Sequence, residues 1–268
     1  MGDVTSDDGP RSLGLAMTAA CCRRPDFLGI GVQKGGTTTL HALLDKHPEV
    51  MLAKGKEIHY FSLHHQLGEA WYGSHFSTAL TNQCCGEITP YYLFHPLSAQ
   101  RIKELRPDMR MIVLLRDPVS RTLSQVFHSY RLGFEPLEPE AALEAEPERL
   151  ASAEPVVMRG GRHRSHQEHS YLARSRYEVQ LARYEACFPR DQLLLLRSED
   201  LFLQPDQVWA EVQSFLNLNP VPLPSLPREN AGKGEAAGVS PALRQKLRQQ
   251  LRPTYALMEQ RYGLCWSA

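Results

Sequence analysis

Long apolar segments and an excess of charge of either sign are both missing from this sequence. A membrane-spanning helix needs about 20 consecutive apolar residues, and no segment of the chain approaches that length. Lysine plus arginine and aspartate plus glutamate each number 30, so the formal net charge is zero. Because no overall field attracts nucleic acid or anionic lipid, we expect neither partner, and any anion-binding site must be local.

Cysteine spacings suited to a metal are missing as well. The chain has 6 cysteines, none in the C-x-x-C spacing of a zinc site, so we interpret them as reduced thiols and expect no metal. The stretch LGLAMTAACC (13–22) is apolar enough to suggest a signal peptide. Acidic residues precede it, however, and its apolar run is short, so the sequence predicts a cytoplasmic protein.

Strand and helix signals alternate along most of the chain. Residues 1–24 are small and polar and predict a flexible tail, which leaves residues 25–268 for a single α/β domain. Short apolar runs predict three buried strands, at 27–32, 109–116 and 193–197. Helical patterns lie at 38–47, 118–131, 170–188 and from about 240. This alternation indicates a doubly wound parallel sheet flanked by helices.

One long segment between these elements differs in composition. Residues 135–154 contain seven glutamates and three prolines, and residues 159–169 read RGGRHRSHQEH. Together they predict a mobile insertion at 135–169. His163, His166 and His169 recur there at every third position. Because a mobile segment offers no ordered groups to orient metal ligands, we expect no metal site among them.

Residues 31–40 read GVQKGGTTTL, directly after the first apolar run. A strand that leads into glycines and hydroxyl residues is typical of an anion-binding turn at the start of a helix. Gly35 and Gly36 allow the backbone to approach an oxyanion, and Lys34 supplies a positive charge. Three hydroxyl residues that can donate to the anion or cap the helix follow: Thr37, Thr38 and Thr39. In the P-loop of nucleotide kinases the lysine follows the last glycine, so a kinase is the less favoured alternative.

A second group of candidate residues follows the second apolar run. Arg116 ends this run, and ligands of α/β sheets bind beyond the carboxyl ends of the strands. Its guanidinium can bind a phosphate through two hydrogen bonds, and Ser124 lies about two helical turns further on. The two residues are therefore candidates for a phosphate site. The alternatives are an ion pair between Arg116 and Asp117, and a Ser124 that is only a surface hydroxyl.

These segments resemble the sulfotransferases that use 3′-phosphoadenosine 5′-phosphosulfate (PAPS), especially the heparan sulfate branch and its bacterial relatives. QKGGTTTL (33–40) is similar to the family's 5′-phosphosulfate loop, and LLRDPVSRTLSQ (114–125) is similar to its 3′-phosphate segment. Lys233 and Gly234 resemble its KGR cofactor loop, although Glu235 replaces the arginine. The resemblance implies a P-loop-like fold, PAPS as sulfuryl donor, 3′-phosphoadenosine 5′-phosphate (PAP) as product, and no metal.

The resemblance also implies roles for individual residues. KEIHYFS (56–62) is similar to the family's E-x-H-F-F segment, whose glutamate is the catalytic base in the heparan sulfate branch. We therefore predict Glu57 as general base and His59 as its orienting partner, side by side on an extended segment. The alternatives are a Glu57 paired with a neighbouring lysine and a purely structural His59. Lys34 is expected to donate to the bridging oxygen of the donor. Tyr177 lies in a segment similar to a helix that contacts the cofactor, although ordinary packing explains it equally well.

One segment departs from the family pattern. GEITPYYLF (86–94) resembles a segment in which heparan sulfate enzymes carry a catalytic lysine, and Ile88 occupies that position here. The difference implies another cation or another acceptor geometry. Thr89, Tyr91 and Tyr92 are candidates for lining the acceptor cleft, with core packing as the alternative. The resemblance thus implies sulfuryl transfer to a hydroxyl, in preference to an amine, of a carbohydrate or small metabolite. A non-catalytic nucleotide-binding protein stays open as an alternative.

Overall fold

The computed structural model describes residues 23–225 and 238–266. Within these ranges the strands are β1 (Phe27–Gly31), β2 (Val50–Leu52), β3 (Cys84–Ile88), β4 (Arg110–Leu115) and β5 (Leu193–Arg197). The helices of the first half are α1 (Thr37–Leu44), α2 (Gly68–Ser74), α3 (Tyr91–Phe94), α4 (Ser98–Leu105) and α5 (Pro118–Arg131). Those of the second half are α6 (Pro139–Leu150), α7 (Ala153–Met158), α8 (Arg164–Glu168), α9 (Tyr177–Glu185), α10 (Ser198–Leu203), α11 (Pro205–Phe215), α12 (Pro241–Gln250) and α13 (Arg252–Tyr262).

The strands form one parallel sheet in the order β2-β3-β1-β4-β5. The central strand β1 pairs with β3 on one side and with β4 on the other, so that Phe27 lies beside both Gly86 and Arg110. The chain therefore winds in opposite directions from β1. In sheets of this kind the ligand binds where the strand order reverses, beyond the carboxyl ends of the strands. Here that point is the loop after β1.

Both faces of β1 are covered, which explains its continuous apolar sequence. Leu28 and Ile30 pack on one face in a cluster that includes residues of β4 and α9. Phe27 points to the other face, where it joins Leu40 of α1 and Trp209 of α11. All five residues of β1 are buried. The following loop therefore starts from a fully buried strand.

The doubly wound sheet predicted from the sequence is confirmed, and so are the strands near 27–32, 109–116 and 193–197. Two further strands are not among those predictions. β2 has only three residues, and β3 reads CCGEI, which lacks a continuous apolar run. These segments are extended because they pair with their neighbours, β2 with β3 and β3 with β1. Intrinsic preference does not reveal such strands.

Two local predictions are wrong. The helix predicted at 170–188 is a short 3₁₀ turn at Ala173–Ser175 followed by the shorter α9. Residues 56–62, predicted as extended, form a turn in which Glu57 and His59 have φ angles of 59° and 58°. Those values belong to the left-handed region, which non-glycine residues rarely adopt.

The predicted insertion at 135–169 contains helices α6, α7 and α8, while its mobility stays a prediction. Of the predicted tail, only its last two residues are described. Arg23 donates to the Gln83 carbonyl at 2.6 Å, and Arg24 to the Glu69 carboxylate at 2.6 Å. Over the two described ranges, no helix has the length and apolar character that crossing a bilayer would require.

Candidate active site

The loop after β1 leaves the start of α1 open to an anion. Gly36 precedes α1 with φ of 91°, and no side chain caps the helix. The N–H group of Thr39 donates to the Gly36 carbonyl at 3.0 Å, which leaves the N–H groups of Thr37 and Thr38 for another acceptor. A helix N-terminus favours negative charge there. Gly35 is required for a different reason, because a Cβ atom there would lie 2.6 Å from the Leu114 carbonyl oxygen of β4.

Lys34 lies within a cluster of positive charge. Its pKa is lowered, first by burial and then by the positive charges of Arg131, Arg116 and Lys56. In the described part of the chain, no carboxylate lies within ion-pair distance of Lys34, Arg116 or Lys56. Like charges repel one another when they are held together without a counterion. The arrangement therefore points to an anionic ligand.

Arg116 follows β4 and is not paired with the neighbouring aspartate. Its guanidinium donates to the Lys34 carbonyl at 3.2 Å, which ties the two candidate segments together. The Asp117 carboxylate accepts instead from the Ser120 N–H at 2.8 Å and from the Tyr255 hydroxyl at 2.6 Å. Asp117 thereby caps α5, and the guanidinium of Arg116 keeps capacity for a phosphate.

Two other residues of the predicted phosphate and cofactor site have different surroundings. Ser124 is half-buried on α5, and its hydroxyl has no hydrogen-bond partner among the described residues. Tyr177 is fully buried and donates its hydroxyl to the Arg116 carbonyl at 2.8 Å. Burial raises the pKa of Tyr177, so it stays a neutral donor. In this structure Tyr177 reaches the site through the Arg116 backbone.

The three threonines of the loop divide into two groups. Thr37 and Thr39 are buried, whereas Thr38 is half-buried and accepts a hydrogen bond from the Lys56 ammonium at 2.7 Å. The sequence did not single out Lys56 as a site residue. Lys56 reaches the site because the turn at 56–62 places its ammonium beside Thr38 of α1.

The turn at 56–62 brings the predicted base and its partner together. The Nε2 atom of His59 lies 3.6 Å from Oε2 of Glu57. On the other side of the ring, Nδ1 of His59 lies 3.1 Å from the Ser62 hydroxyl. The Glu57 side chain is 41% exposed. No lysine pairs with Glu57 in the described ranges, so the ion-pair alternative does not hold here.

A buried carboxylate lies behind this turn. Glu87 of β3 is 2% exposed and accepts hydrogen bonds from the hydroxyls of Tyr72, Thr89 and Tyr92 at 2.9, 2.6 and 2.6 Å. Burial raises the pKa of Glu87, while these donors act in the opposite direction. The Thr89 hydroxyl also accepts from the His59 N–H at 3.4 Å. Thr89 and Tyr92 therefore support the turn from the core.

Of the three candidates in the segment 86–94, Tyr91 is the one that contacts the rings of both His59 and His166. Its ring meets the His59 ring edge to face at 5.9 Å, and its hydroxyl lies 2.6 Å from Nδ1 of His166. The Arg174 guanidinium lies over the Tyr91 ring at 4.8 Å and donates to the Gln33 side chain at 2.8 Å. Arg174 is not among the residues predicted from the sequence, because Tyr91 and Gln33, which connect it to the site, lie far away along the chain.

The histidines at 163, 166 and 169 each have a separate partner. His163 caps α8, His166 contacts Tyr91, and His169 lies 3.2 Å from the Phe134 carbonyl. Among the described residues, no cluster of histidine, cysteine or acidic side chains could hold a metal ion. Lys233 and Gly234, the predicted late cofactor loop, lie outside the described residues.

A cleft of about 590 Å³ opens near the carboxyl ends of β4 and β5. Its charged lining residues come from the segment before α5, the end of β5, α10 and α12: Asp117, Arg197, Glu199, Arg244 and Arg248. Lys34 does not line this cleft. The cation cluster around Lys34, and not the cleft, therefore defines the candidate site.

Comparison with known proteins agrees with this geometry. The family model described as the sulfotransferase domain matches residues 24–225. The chain belongs to the sulfotransferase family. The family resemblance and the fold predicted from the sequence are thereby confirmed. The kinase alternative is not supported.

This sulfotransferase family member covers a little over half of two of its relatives and nearly all of a third. The membrane-associated sulfotransferase kil1 of Dictyostelium discoideum is 29% identical over 73% of this chain and 56% of its own length. Human heparan sulfate glucosamine 3-O-sulfotransferase 6 is 31% identical over 79% of this chain and 58% of its own length. This chain thus spans less than two thirds of both curated relatives. The crystal structure of a sulfotransferase from Alicyclobacillus acidocaldarius superposes with a TM-score of 0.74 at 27% identity, covering 88% of this chain and 95% of that one.

Proposed function

We propose that this protein transfers a sulfuryl group from PAPS to a hydroxyl group of a carbohydrate or small-molecule acceptor. The observation that carries the proposal is the cation cluster of Lys34, Lys56 and Arg116 at the uncapped start of α1. Members of the sulfotransferase family use PAPS, whose phosphosulfate and 3′-phosphate groups would supply the missing negative charge.

The proposed reaction assigns one step to each of three residues. Glu57 accepts the proton of the acceptor hydroxyl, and the acceptor oxygen forms a new bond to sulfur. The bond from sulfur to the bridging oxygen breaks, and its electron pair stays on the 5′-phosphate of PAP. Lys34 stabilises the charge that develops on this oxygen, and His59 orients the Glu57 carboxylate. No other reactant is needed.

A hydroxyl acceptor is supported by relatives named as 3-O-sulfotransferases of heparan sulfate glucosamine. The similarity does not identify the acceptor of this protein, because Ile88 stands where the heparan sulfate enzymes have a catalytic lysine. The test is a screen of carbohydrates and hydroxylated metabolites with labelled PAPS, read by mass spectrometry for the gain of one sulfate. PAPS that binds but turns over with no acceptor would instead favour a non-catalytic nucleotide-binding protein.

The proposed site has separate positions for the 5′-phosphate, at the loop after β1, and for the 3′-phosphate, at Arg116 and Ser124. We expect PAP to raise the melting temperature more than adenosine 5′-monophosphate does, because Arg116 binds the additional 3′-phosphate. A ligand at 100 times its Kd stabilises a protein by about 2.7 kcal/mol. In Arg116→Ala the two nucleotides should give similar shifts. Equal shifts in the wild type would contradict the assignment of Arg116 and Ser124 to the 3′-phosphate.

A cytoplasmic location stays part of the proposal. The four described cysteines, Cys84, Cys85, Cys187 and Cys265, are free thiols, in agreement with the interpretation of the sequence. Burial raises the pKa of the Cys84 thiol to about 12, so this group is not a thiolate at neutral pH. Fractionation of cells that express the full chain would test the location directly.

A further inference from the structure

The position at which the family pattern has a lysine cannot supply a cation in this protein. Ile88 is 1% exposed and packs with Leu40 and Leu43 of α1. A Cβ atom added at Gly29 would lie 2.8 Å from the Ile88 side chain, so Ile88 also fills the space beside β1. This part of β3 is therefore apolar, and a second cation for the reaction has to come from elsewhere.

Lys56 brings a cation to the same side of the sheet from a different element. Its ammonium donates to the Thr38 hydroxyl in the first turn of α1 at 2.7 Å. Its charge is one of those that lower the pKa of Lys34, so the two ammonium groups are close enough to repel each other. An exposed lysine has many rotamers that would avoid such repulsion. Its placement here is favourable when an anion lies between the two groups.

The neighbour of Lys56 in the chain indicates which part of the anion it meets. Glu57 is the proposed base and must lie next to the acceptor hydroxyl. Lys56 immediately precedes it and reaches toward the loop that would hold the donor. The group located between donor and acceptor during transfer is the sulfuryl group. A cation at this point stabilises the oxygens of sulfur that do not take part in bond breaking.

We propose that Lys56 binds the transferred sulfuryl group and supplies the cation that is absent at position 88. This inference rests on the proposed function, since it assigns a residue within the same site. Lys56 is a binding residue for the sulfuryl group, whereas Lys34 acts on the bridging oxygen and Arg116 on the 3′-phosphate. The simpler alternative is that Lys56 only donates a hydrogen bond to Thr38.

The experiment compares the affinities of PAPS and PAP, which differ only by the sulfuryl group. Isothermal titration calorimetry without acceptor measures both in the wild type, in Lys56→Met and in Lys54→Met, an exposed lysine of the same loop. In Lys56→Met, PAPS should bind about 10- to 100-fold more weakly, the range of a charge-assisted hydrogen bond. PAP should bind as in the wild type within about twofold. Lys54→Met should resemble the wild type with both ligands, and Lys56→Arg should recover part of the PAPS affinity.

The outcomes separate this inference from the function on which it rests. Unchanged PAPS affinity in Lys56→Met, with normal binding in the wild type, would overturn the role of Lys56 alone. An equal loss for PAPS and PAP would also overturn it, because Lys56 would then bind a phosphate that both ligands share. A wild type that binds neither ligand would overturn the proposed function and this inference together. Once an acceptor is known, kcat/KM for PAPS in Lys56→Met should fall at least as far as PAPS affinity does.

Discussion

At the scale of single residues, the turn at 56–62 holds the proposed base Glu57 and its proposed partner His59 in an unfavourable backbone conformation. A left-handed φ costs a non-glycine residue about 1–2 kcal/mol, and both Glu57 and His59 adopt one. Surrounding bonds offset this cost, since the N–H groups of Ser62, Leu63 and His64 all donate to the His59 carbonyl at 3.2, 2.8 and 3.0 Å. Backbone strain of this kind is concentrated at functional sites, in agreement with the roles proposed here.

If Glu57 is the base, its amide replacement keeps the shape and loses the proton acceptor. We expect Glu57→Gln to bind PAP normally and to turn over about 10²- to 10⁴-fold more slowly. His59→Ala should lose less, since histidine only orients the carboxylate. Glu211→Gln, an exposed carboxylate on α11, is the matched control and should be fully active. Turnover of Glu57→Gln at the wild-type rate across the pH range would remove Glu57 from the mechanism.

The lowered pKa of Lys34 predicts that binding of an anion takes up protons. A negative ligand favours the charged ammonium, so it raises the pKa of Lys34 back toward its ordinary value of about 10.4. On the alkaline side, where Lys34 has begun to lose its proton in the empty protein, binding of PAP restores that proton. Calorimetry of PAP binding at about pH 9 in buffers of different ionisation enthalpy measures the uptake.

Lys34→Arg is the control for this prediction. Arginine keeps the positive charge but stays protonated throughout, so the Lys34 contribution to proton uptake should disappear while PAP still binds. Equal uptake in the wild type and in Lys34→Arg would assign the proton to another group.

At the scale of elements, the segment 135–169 is tied to the domain by buried carboxylates. Glu135 is 1% exposed and accepts a hydrogen bond at 2.7 Å from the hydroxyl of Tyr171, which lies outside the segment. Within the segment, Glu135 pairs with Nη1 and Nη2 of Arg149 at 2.6 and 3.1 Å. Glu146 of α6 is 4% exposed and accepts from the N–H groups of Leu172 and Ala173 at 2.7 and 2.8 Å. Two of the glutamates that suggested a mobile insertion are therefore buried: Glu135 pairs with an arginine, and Glu146 accepts hydrogen bonds from backbone N–H groups.

The hydrogen bonds of Glu146 should contribute to the stability of the domain. Glu146→Ala leaves two partly buried N–H groups, those of Leu172 and Ala173, without an acceptor, so it should lower the free energy of unfolding by about 1–3 kcal/mol. Denaturant titration measures the change. Glu148→Ala, an exposed position on the same helix, should stay within about 0.5 kcal/mol of the wild type. If α6 were only loosely attached, the two variants would have the same stability.

At the scale of the whole molecule, a chain without net charge still carries a strongly positive site. The sheet order brings the ends of β1 and β4 side by side, and with them Lys34 and Arg116. The turn after β2 adds Lys56 from a third element. Acidic groups elsewhere, such as Asp117 and Glu199, are engaged by backbone N–H groups instead of these cations. The positive field is therefore local, as the balanced composition requires.

The sequence by itself was sufficient for features encoded in short stretches. An apolar run, then lysine, glycines and threonines, predicted a strand, an anion-binding loop and a helix, and the same stretches carried the family resemblance. Arg116 was found in the same way, as the polar end of a strand. Such signals are local because backbone conformation and helix starts depend mainly on neighbouring residues.

Only the tertiary structure decided which distant residues complete the site. Lys56 meets Thr38 across 18 positions of the chain, and Arg174 meets Gln33 across 141. The short strands β2 and β3, the left-handed turn at Glu57 and the buried role of Glu146 likewise depend on partners elsewhere in the fold. Pairing, burial and the counting of charges within a few ångströms are properties of the packed chain. For that reason composition did not reveal that the segment 135–169 contains helices, or that Glu135 and Glu146 within it are buried.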